Sequence, residues 1–100
     1  MTIELLIEGK RKIFKLPSFI SGRMIRKAVT FTKNDLSNID EEQLDELIGF
    51  VVNVYGDKFT IDEFYDSIDA RKMMEAIGNT IFFIINGTVE AAGGSNSPNK

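Results

Sequence analysis

The chain has 100 residues, of which 43% are hydrophobic and 27% charged, and its net charge is −3. This length and composition fit one globular domain and exclude a second independent one within these residues. Cysteine and histidine are both absent, so disulfides, thiolate zinc sites and the commonest general base are excluded. We therefore expect a protein that is not an enzyme and uses no cofactor or metal.

The first residues lack the basic and apolar regions of a secretion signal. The longest apolar run covers residues 81–85, far fewer than the roughly 18 residues that span a bilayer. We expect a soluble intracellular protein without a membrane partner.

The first predicted element is a β-hairpin over residues 2–16. Apolar and polar residues alternate along its first half, which is typical of a half-buried strand. A two-residue turn at Gly9 and Lys10 would place Leu5 opposite Phe14 and Glu4 opposite Lys15, and glycine in the first turn position favours a type II′ turn.

Apolar spacing and capping signals then predict four helices, over residues 18–33, 41–55, 61–67 and 70–86. Ser18, which follows a proline, is the expected N-cap of the first helix. The predicted fold is therefore α+β and mainly α, with the hairpin packed on a bundle of about four helices.

The clearest helix starts are two capping boxes. Asp40 precedes Gln43 by three residues, and Thr60 precedes Glu63 by the same interval. Gly56 is the expected stop of the second helix. Residues 1–87 are thus predicted to form one globular domain. Residues 88–100, which are small, polar and unpatterned, are predicted to form a disordered tail.

Charge is distributed unevenly along the chain. Residues 1–33 carry eight basic and two acidic groups, a net charge of +6, whereas residues 34–75 carry a net charge of −9. Three arrangements are compatible with this asymmetry. The two regions can neutralise each other within one fold, they can meet between copies of the chain, or the basic third can bind nucleic acid.

The end of the last predicted helix is apolar on all sides for more than a turn. Such a segment is either central in the core or covered by a partner. For the second case, the predicted apolar contact residues are Ile81, Phe82, Phe83 and Ile85.

Two segments carry a family resemblance. Residues 19–28 read FISGRMIRKA and residues 55–66 read YGDKFTIDEFYD. With these segments in this order, the chain resembles the tail assembly chaperones of long-tailed phages and prophages of Gram-positive bacteria, from the first strand to about residue 86.

The resemblance implies a non-catalytic protein that coats the phage tape measure protein in the host bacterial cytoplasm and is absent from the mature virion. It also implies other copies of the chain and a longer, frameshifted form as partners. For contacts between copies, we assign the basic residues Arg23, Arg26 and Lys27 and the acidic residues Asp62, Glu63 and Asp66.

The alternative function is a small regulatory protein that binds nucleic acid through the basic residues 10–33. It predicts DNA or RNA binding that weakens steeply with salt, whereas the chaperone hypothesis predicts no nucleic-acid partner.

Overall fold

The structure is a computed structural model that describes residues 1–33 and 38–87. It confirms a mainly helical α+β fold in which an N-terminal hairpin packs on four helices. The elements are β1 (Thr2–Ile7), β2 (Lys10–Lys15), α1 (Arg23–Thr32), α2 (Glu41–Val54), α3 (Ile61–Ser67) and α4 (Ala70–Phe82). A π-helical turn, Phe83–Gly87, continues α4. The tail predicted over residues 88–100 lies outside the described residues.

The register of the hairpin differs from the predicted one. Phe14 lies opposite Ile3, and Leu5 lies opposite Lys12. The predicted pairings of Leu5 with Phe14 and of Glu4 with Lys15 are therefore both wrong by two residues, and Glu4 lies opposite Ile13. A shift of two residues leaves every side chain on its original face, so the alternation of apolar residues fits both registers equally well.

The turn itself fixes the register. It is formed by Glu8 and Gly9, not by Gly9 and Lys10, and both turn residues have positive φ angles, 53° and 78°. Two positive φ angles define a type I′ turn, whose twist matches that of the flanking strands, whereas a type I or type II turn would splay them apart. Gly9 therefore occupies the second turn position, and the predicted type II′ turn is wrong.

Helix α1 begins at Arg23, five residues later than predicted, and Ser18 is not its N-cap. Gly22 occupies the N-cap, and the Oγ of Ser21 accepts a hydrogen bond from the backbone N–H of Arg23 at 3.2 Å. Serine and glycine are weak helix formers, and serine competes with the helix through such local hydrogen bonds. These residues therefore delay the start of α1.

Both predicted capping boxes are present. The N–H of Gln43 donates to Asp40 Oδ1 at 2.8 Å, and the N–H of Asp40 donates to Gln43 Oε1 at 3.1 Å. Thr60 and Glu63 make the equivalent pair of hydrogen bonds at 2.9 and 3.0 Å. Each box satisfies two backbone donors that would otherwise have no partner near the helix start.

Helix α2 ends as predicted at Gly56, which adopts a φ of +77°. The N–H of Gly56 donates to the carbonyl of Asn53 at 3.0 Å, and the N–H of Asp57 donates to that of Val52 at 2.9 Å. These two bonds form a Schellman motif, in which glycine adopts the left-handed conformation without steric cost.

The core is centred on α2, which contributes six of its buried side chains. Aromatic contacts connect α2 and its flanking residues with the other elements. The rings of Phe14 and Phe59 meet edge-on at 4.9 Å and hold the hairpin, and those of Phe31 and Phe50 meet at 5.3 Å and join α1 to α2. From α4 and the π-helical turn, Ile77 and Ile84 enter the same core.

Candidate partner-binding surface

The structure separates the four residues predicted for apolar contact. Ile81 belongs to the core and is only 8% exposed, whereas Phe82 is 62% exposed. Phe83 and Ile85 are half-buried and pack against the core. Each of the two predicted arrangements therefore holds for part of the apolar segment. Ile81 lies in the core, as the first arrangement predicts, whereas Phe82 faces solvent, where a partner could cover it.

A depression of about 280 Å³ lies beside Phe82, between the C-terminal ends of α1 and α4. Its apolar lining includes Phe31 of α1 together with Ile81 and Ile85. Gly78 forms part of the lining, and apart from the nearby backbone of α4 itself, no atom of the described residues would lie within 4 Å of a Cβ placed there. We call this depression, with its exposed rim residue Phe82, the α1/α4 groove.

Met74 extends the same surface along α4. It is 39% exposed and lies eight residues before Phe82, with Gly78 halfway between them. Residues four apart lie on one face of a helix, so Met74, Gly78 and Phe82 form one row. Met74 is not among the residues predicted for apolar contact. Its spacing of eight residues from Phe82, two steps of four, is the sequence signal that indicates its position on this surface.

The three basic residues assigned to contacts between copies share one side of α1. Arg23, Arg26 and Lys27 are all exposed, and their spacings of three and four residues place them close together on the helix surface. Ala28, which faces the core, is fully buried. Helix α1 thus presents apolar residues to the core and a compact cluster of positive charge to solvent.

The assigned acidic residues lie on α3. Asp62 and Asp66 are exposed and four residues apart, which places them on one face of the helix. Glu63 is also exposed, but its carboxylate accepts the hydrogen bond of the capping box from Thr60. Asp62 and Asp66 are therefore the more available charges for an external contact.

The structure does not bring the two charged sets together. Within residues 1–33 and 38–87, the ion pairs are Glu4 with Arg11 at 3.3 Å and Asp69 with Arg71 at 2.8 Å. Neither pair involves the basic cluster of α1 or the acidic residues of α3. Among the described residues, these charges are therefore available to another molecule.

Several ionisable side chains have shifted pKa values, and each shift has a structural cause. Burial raises the pKa of Tyr55 to about 12. Partial burial, followed by a hydrogen bond that Tyr65 donates to Asp45, raises the pKa of Tyr65 to about 12. Hydrogen bonds from Arg71 lower the pKa of Asp69 to about 2. Each shift has a local cause, and the three groups do not form a converging acid–base pair.

The described residues offer neither a metal site nor a membrane-spanning helix. They contain no group of three or more histidine, cysteine, aspartate or glutamate side chains placed to hold a metal ion. None of their helices combines the length and the apolar character needed to cross a bilayer. The α1/α4 groove and the two charged clusters are surface features suited to binding another polypeptide.

Comparison with known proteins gives one finding. A family described as phage tail chaperone protein matches residues 1–100, the whole length of the chain. No curated protein and no solved structure matches it.

Proposed function

The chain belongs to the phage tail chaperone family, and on this premise we propose that it binds and solubilises the tape measure protein during tail assembly. The role is non-catalytic binding in the host bacterial cytoplasm, and the protein is released before the virion is complete. The observation that carries the proposal is the exposed Phe82 at the rim of the α1/α4 groove.

The groove has the chemistry that an apolar helix requires. Its walls are provided by two helices, and grooves of this kind accept the apolar face of a third helix. Burying a phenylalanine side chain contributes roughly 1.5–3 kcal/mol, so Phe82 is the natural anchor of such a contact. The proposal treats the tape measure protein as a long, largely helical and apolar rod, which would aggregate if uncovered. Many copies of the chain that each bind weakly would shield it.

The first test changes Phe82 to serine and measures how much tape measure protein co-purifies after co-expression. We expect the Phe82→Ser variant to retain less than about a tenth of it, because losing roughly 1.5–3 kcal/mol reduces affinity about tenfold or more. The fold should persist, since Phe82 lies mostly outside the core.

Phe19 provides the matched control. It is 79% exposed and precedes α1, so Phe19→Ser removes the same type of side chain from a different surface. We expect this variant to co-purify as the unaltered chain does. Unchanged recovery with folded Phe82→Ser, or equal losses in both variants, would contradict the role of the groove. Phe83 is unsuitable for this test because it packs against the core.

We further propose that neighbouring copies on the tape measure protein contact one another through opposite charges. The basic cluster Arg23, Arg26 and Lys27 of one copy would meet Asp62, Glu63 and Asp66 of the next. Two different surfaces then join head to tail, and such an interface can continue from copy to copy. A longer, frameshifted form with the same domain would join the same array.

A charge reversal tests this contact. We expect Arg26→Glu to weaken self-association, because it opposes the acids of α3 with a like charge, and Asp62→Arg to weaken it similarly. Mixing the two variants should restore association at that interface, whereas each variant alone should remain dispersed. Sedimentation at low and high salt measures this. Association that is unchanged both by the substitutions and by the salt concentration would contradict the proposal.

A further inference from the structure

Among the described residues, no other strand covers the second edge of β1, the inner strand of the hairpin. Ile7 and Lys10 close the two-residue turn and therefore form a hydrogen-bonded pair. Because bonded and non-bonded pairs alternate in an antiparallel ladder, Ile3, Leu5 and Ile7 bond to β2. The backbone N–H and C=O groups of the intervening residues, which are Thr2, Glu4 and Leu6, point away from β2.

These outward groups have no partner within the described part of the chain. None of the hydrogen bonds outside the ladder involves the backbone of Thr2, Glu4 or Leu6. The outer edge of β2 differs, because the carbonyl of Lys15 accepts a hydrogen bond from Lys58 Nζ at 3.2 Å. The free edge of β1 thus offers three N–H and three C=O groups over about 13 Å of strand.

A groove runs along this edge and gives an added segment a place to lie. Two adjoining depressions, of about 370 and 220 Å³, share Glu4, Ile68 and Lys72 in their lining. The side of α4 forms the opposite wall. We call this feature the β1-edge groove, and it is separate from the α1/α4 groove.

We propose that the β1-edge groove binds an extended, basic peptide segment, which adds to the hairpin as a third strand. An extended segment fits because its own backbone groups are unpaired and can complete those of β1. A helix does not fit this role, since its backbone groups already bond to each other. A single strand also needs less room beside α4 than a second hairpin would.

The charge of the groove selects a basic partner. Its lining contains four acidic residues and two basic ones, which are Glu4, Asp66, Asp69, Glu75, Arg11 and Lys72. Their net charge of −2 becomes −1 when Arg71, which pairs with Asp69 from outside the lining, is included. Glu4 pairs with Arg11, and Asp69 pairs with Arg71. Asp66 and Glu75 have no ion-pair partner among the described residues, so lysine or arginine side chains on the added strand would meet them.

The test measures backbone amide exchange by NMR in the presence of a hexapeptide that alternates lysine and valine. With the peptide at about ten times its dissociation constant, exchange at Glu4 and Leu6 should slow by about tenfold. Ile3 and Leu5 should change little, because their N–H groups already bond to β2. Unchanged exchange at Glu4 and Leu6 at the highest peptide concentration would overturn the proposal.

Two control peptides separate the backbone from the charge. A peptide with every backbone nitrogen methylated keeps its lysines but cannot pair as a strand, and a glutamate–valine peptide keeps the strand but reverses the charge. We expect neither to slow exchange at Glu4 and Leu6. Equal slowing by the methylated peptide would overturn strand addition, and equal slowing by the glutamate peptide would overturn the preference for a basic segment.

A pair of variants provides a second measurement. Glu4→Pro removes an outward N–H that the ladder does not use, and edge strands tolerate proline. Glu4→Ala removes the same carboxylate and its pairing with Arg11 but keeps the N–H. Both variants lose the carboxylate of Glu4, so only the backbone N–H distinguishes them. We expect the lysine–valine peptide to bind Glu4→Pro more weakly than Glu4→Ala, and equal affinities would contradict the proposal. If Glu4→Pro does not fold, amide exchange in the unaltered chain decides the matter.

Discussion

Two tyrosines of the α2–α3 region differ in whether the hydroxyl has a hydrogen-bond partner. The hydroxyl of Tyr65 donates a hydrogen bond to Asp45 and so connects α3 to α2. The hydroxyl of Tyr55 is buried, and no hydrogen-bond partner for it occurs in the described residues. Tyr55 therefore contributes through its ring, which packs beside Phe59, whereas Tyr65 contributes through its hydroxyl as well.

Both tyrosines make stability depend on pH in the alkaline range. Burial of Tyr55, and partial burial with the Asp45 hydrogen bond for Tyr65, raise each pKa from 10.0 to about 12. The folded state thus keeps protons that the unfolded state releases, so the contribution is complete below pH 10 and is lost as pH rises to 12. We expect the free energy of unfolding to decrease over that interval.

A variant carrying both Tyr55→Phe and Tyr65→Phe identifies the source of this decrease. Lysine deprotonation affects the variant and the unaltered chain alike, so the difference between their pH profiles reports the tyrosines. Urea unfolding at several values between pH 9 and 12 should give a shallower decrease for the variant. Two parallel profiles would show that the tyrosines do not cause the pH dependence.

At the scale of the elements, two glycines have opposite effects on helix stability. Gly56 ends α2 with a φ of +77°, a conformation in which a Cβ is strained. Gly78 lies inside α4, and an added Cβ would have no contact within 4 Å in the part of the chain that the structure describes, apart from the nearby helix backbone. The first glycine is required by the backbone, whereas the second only weakens its helix.

Replacing each glycine with alanine therefore provides a matched comparison. We expect Gly56→Ala to lower the free energy of unfolding by about 1 kcal/mol or more. Gly78→Ala should raise it by up to about 1 kcal/mol, because alanine is the better helix former. Chemical unfolding of both variants measures this, and changes of the same sign would contradict the assignment.

Features encoded within a few consecutive residues could be predicted from the sequence. The capping boxes at Asp40 and Thr60 and the stop at Gly56 each depend on residues no more than five apart. Such contacts form through local backbone geometry, whatever the rest of the chain does. The start and end of α2 and the start of α3 follow from them.

Features decided by competition between similar energies could not be predicted. The two hairpin registers bury the same face, so only the backbone of Glu8 and Gly9 distinguishes them. Ser18 is an acceptable N-cap, but Ser21 and Gly22 favour a later start. Ile81 is buried and Phe82 is exposed because of the way α1 and α4 pack, and helical periodicity alone does not specify that packing.

At the scale of the whole molecule, the binding features are distributed over separate surfaces. The α1/α4 groove lies at the C-terminal ends of its two helices, and the charged clusters lie on α1 and α3. Under the proposed function, the chain contacts the tape measure protein through one of these surfaces and neighbouring copies through the two others. This arrangement favours an array of many copies over a single complex of fixed size.

The most direct test of this account is the number of chains bound to tape measure proteins of different lengths. Full-length and truncated tape measure proteins are each co-expressed with the chaperone, and the mass of each soluble complex is measured by light scattering. Our account predicts soluble complexes in which the number of bound chains rises in proportion to the length of the tape measure protein. A tape measure protein that stays insoluble, or a constant number of bound chains at every length, would contradict it.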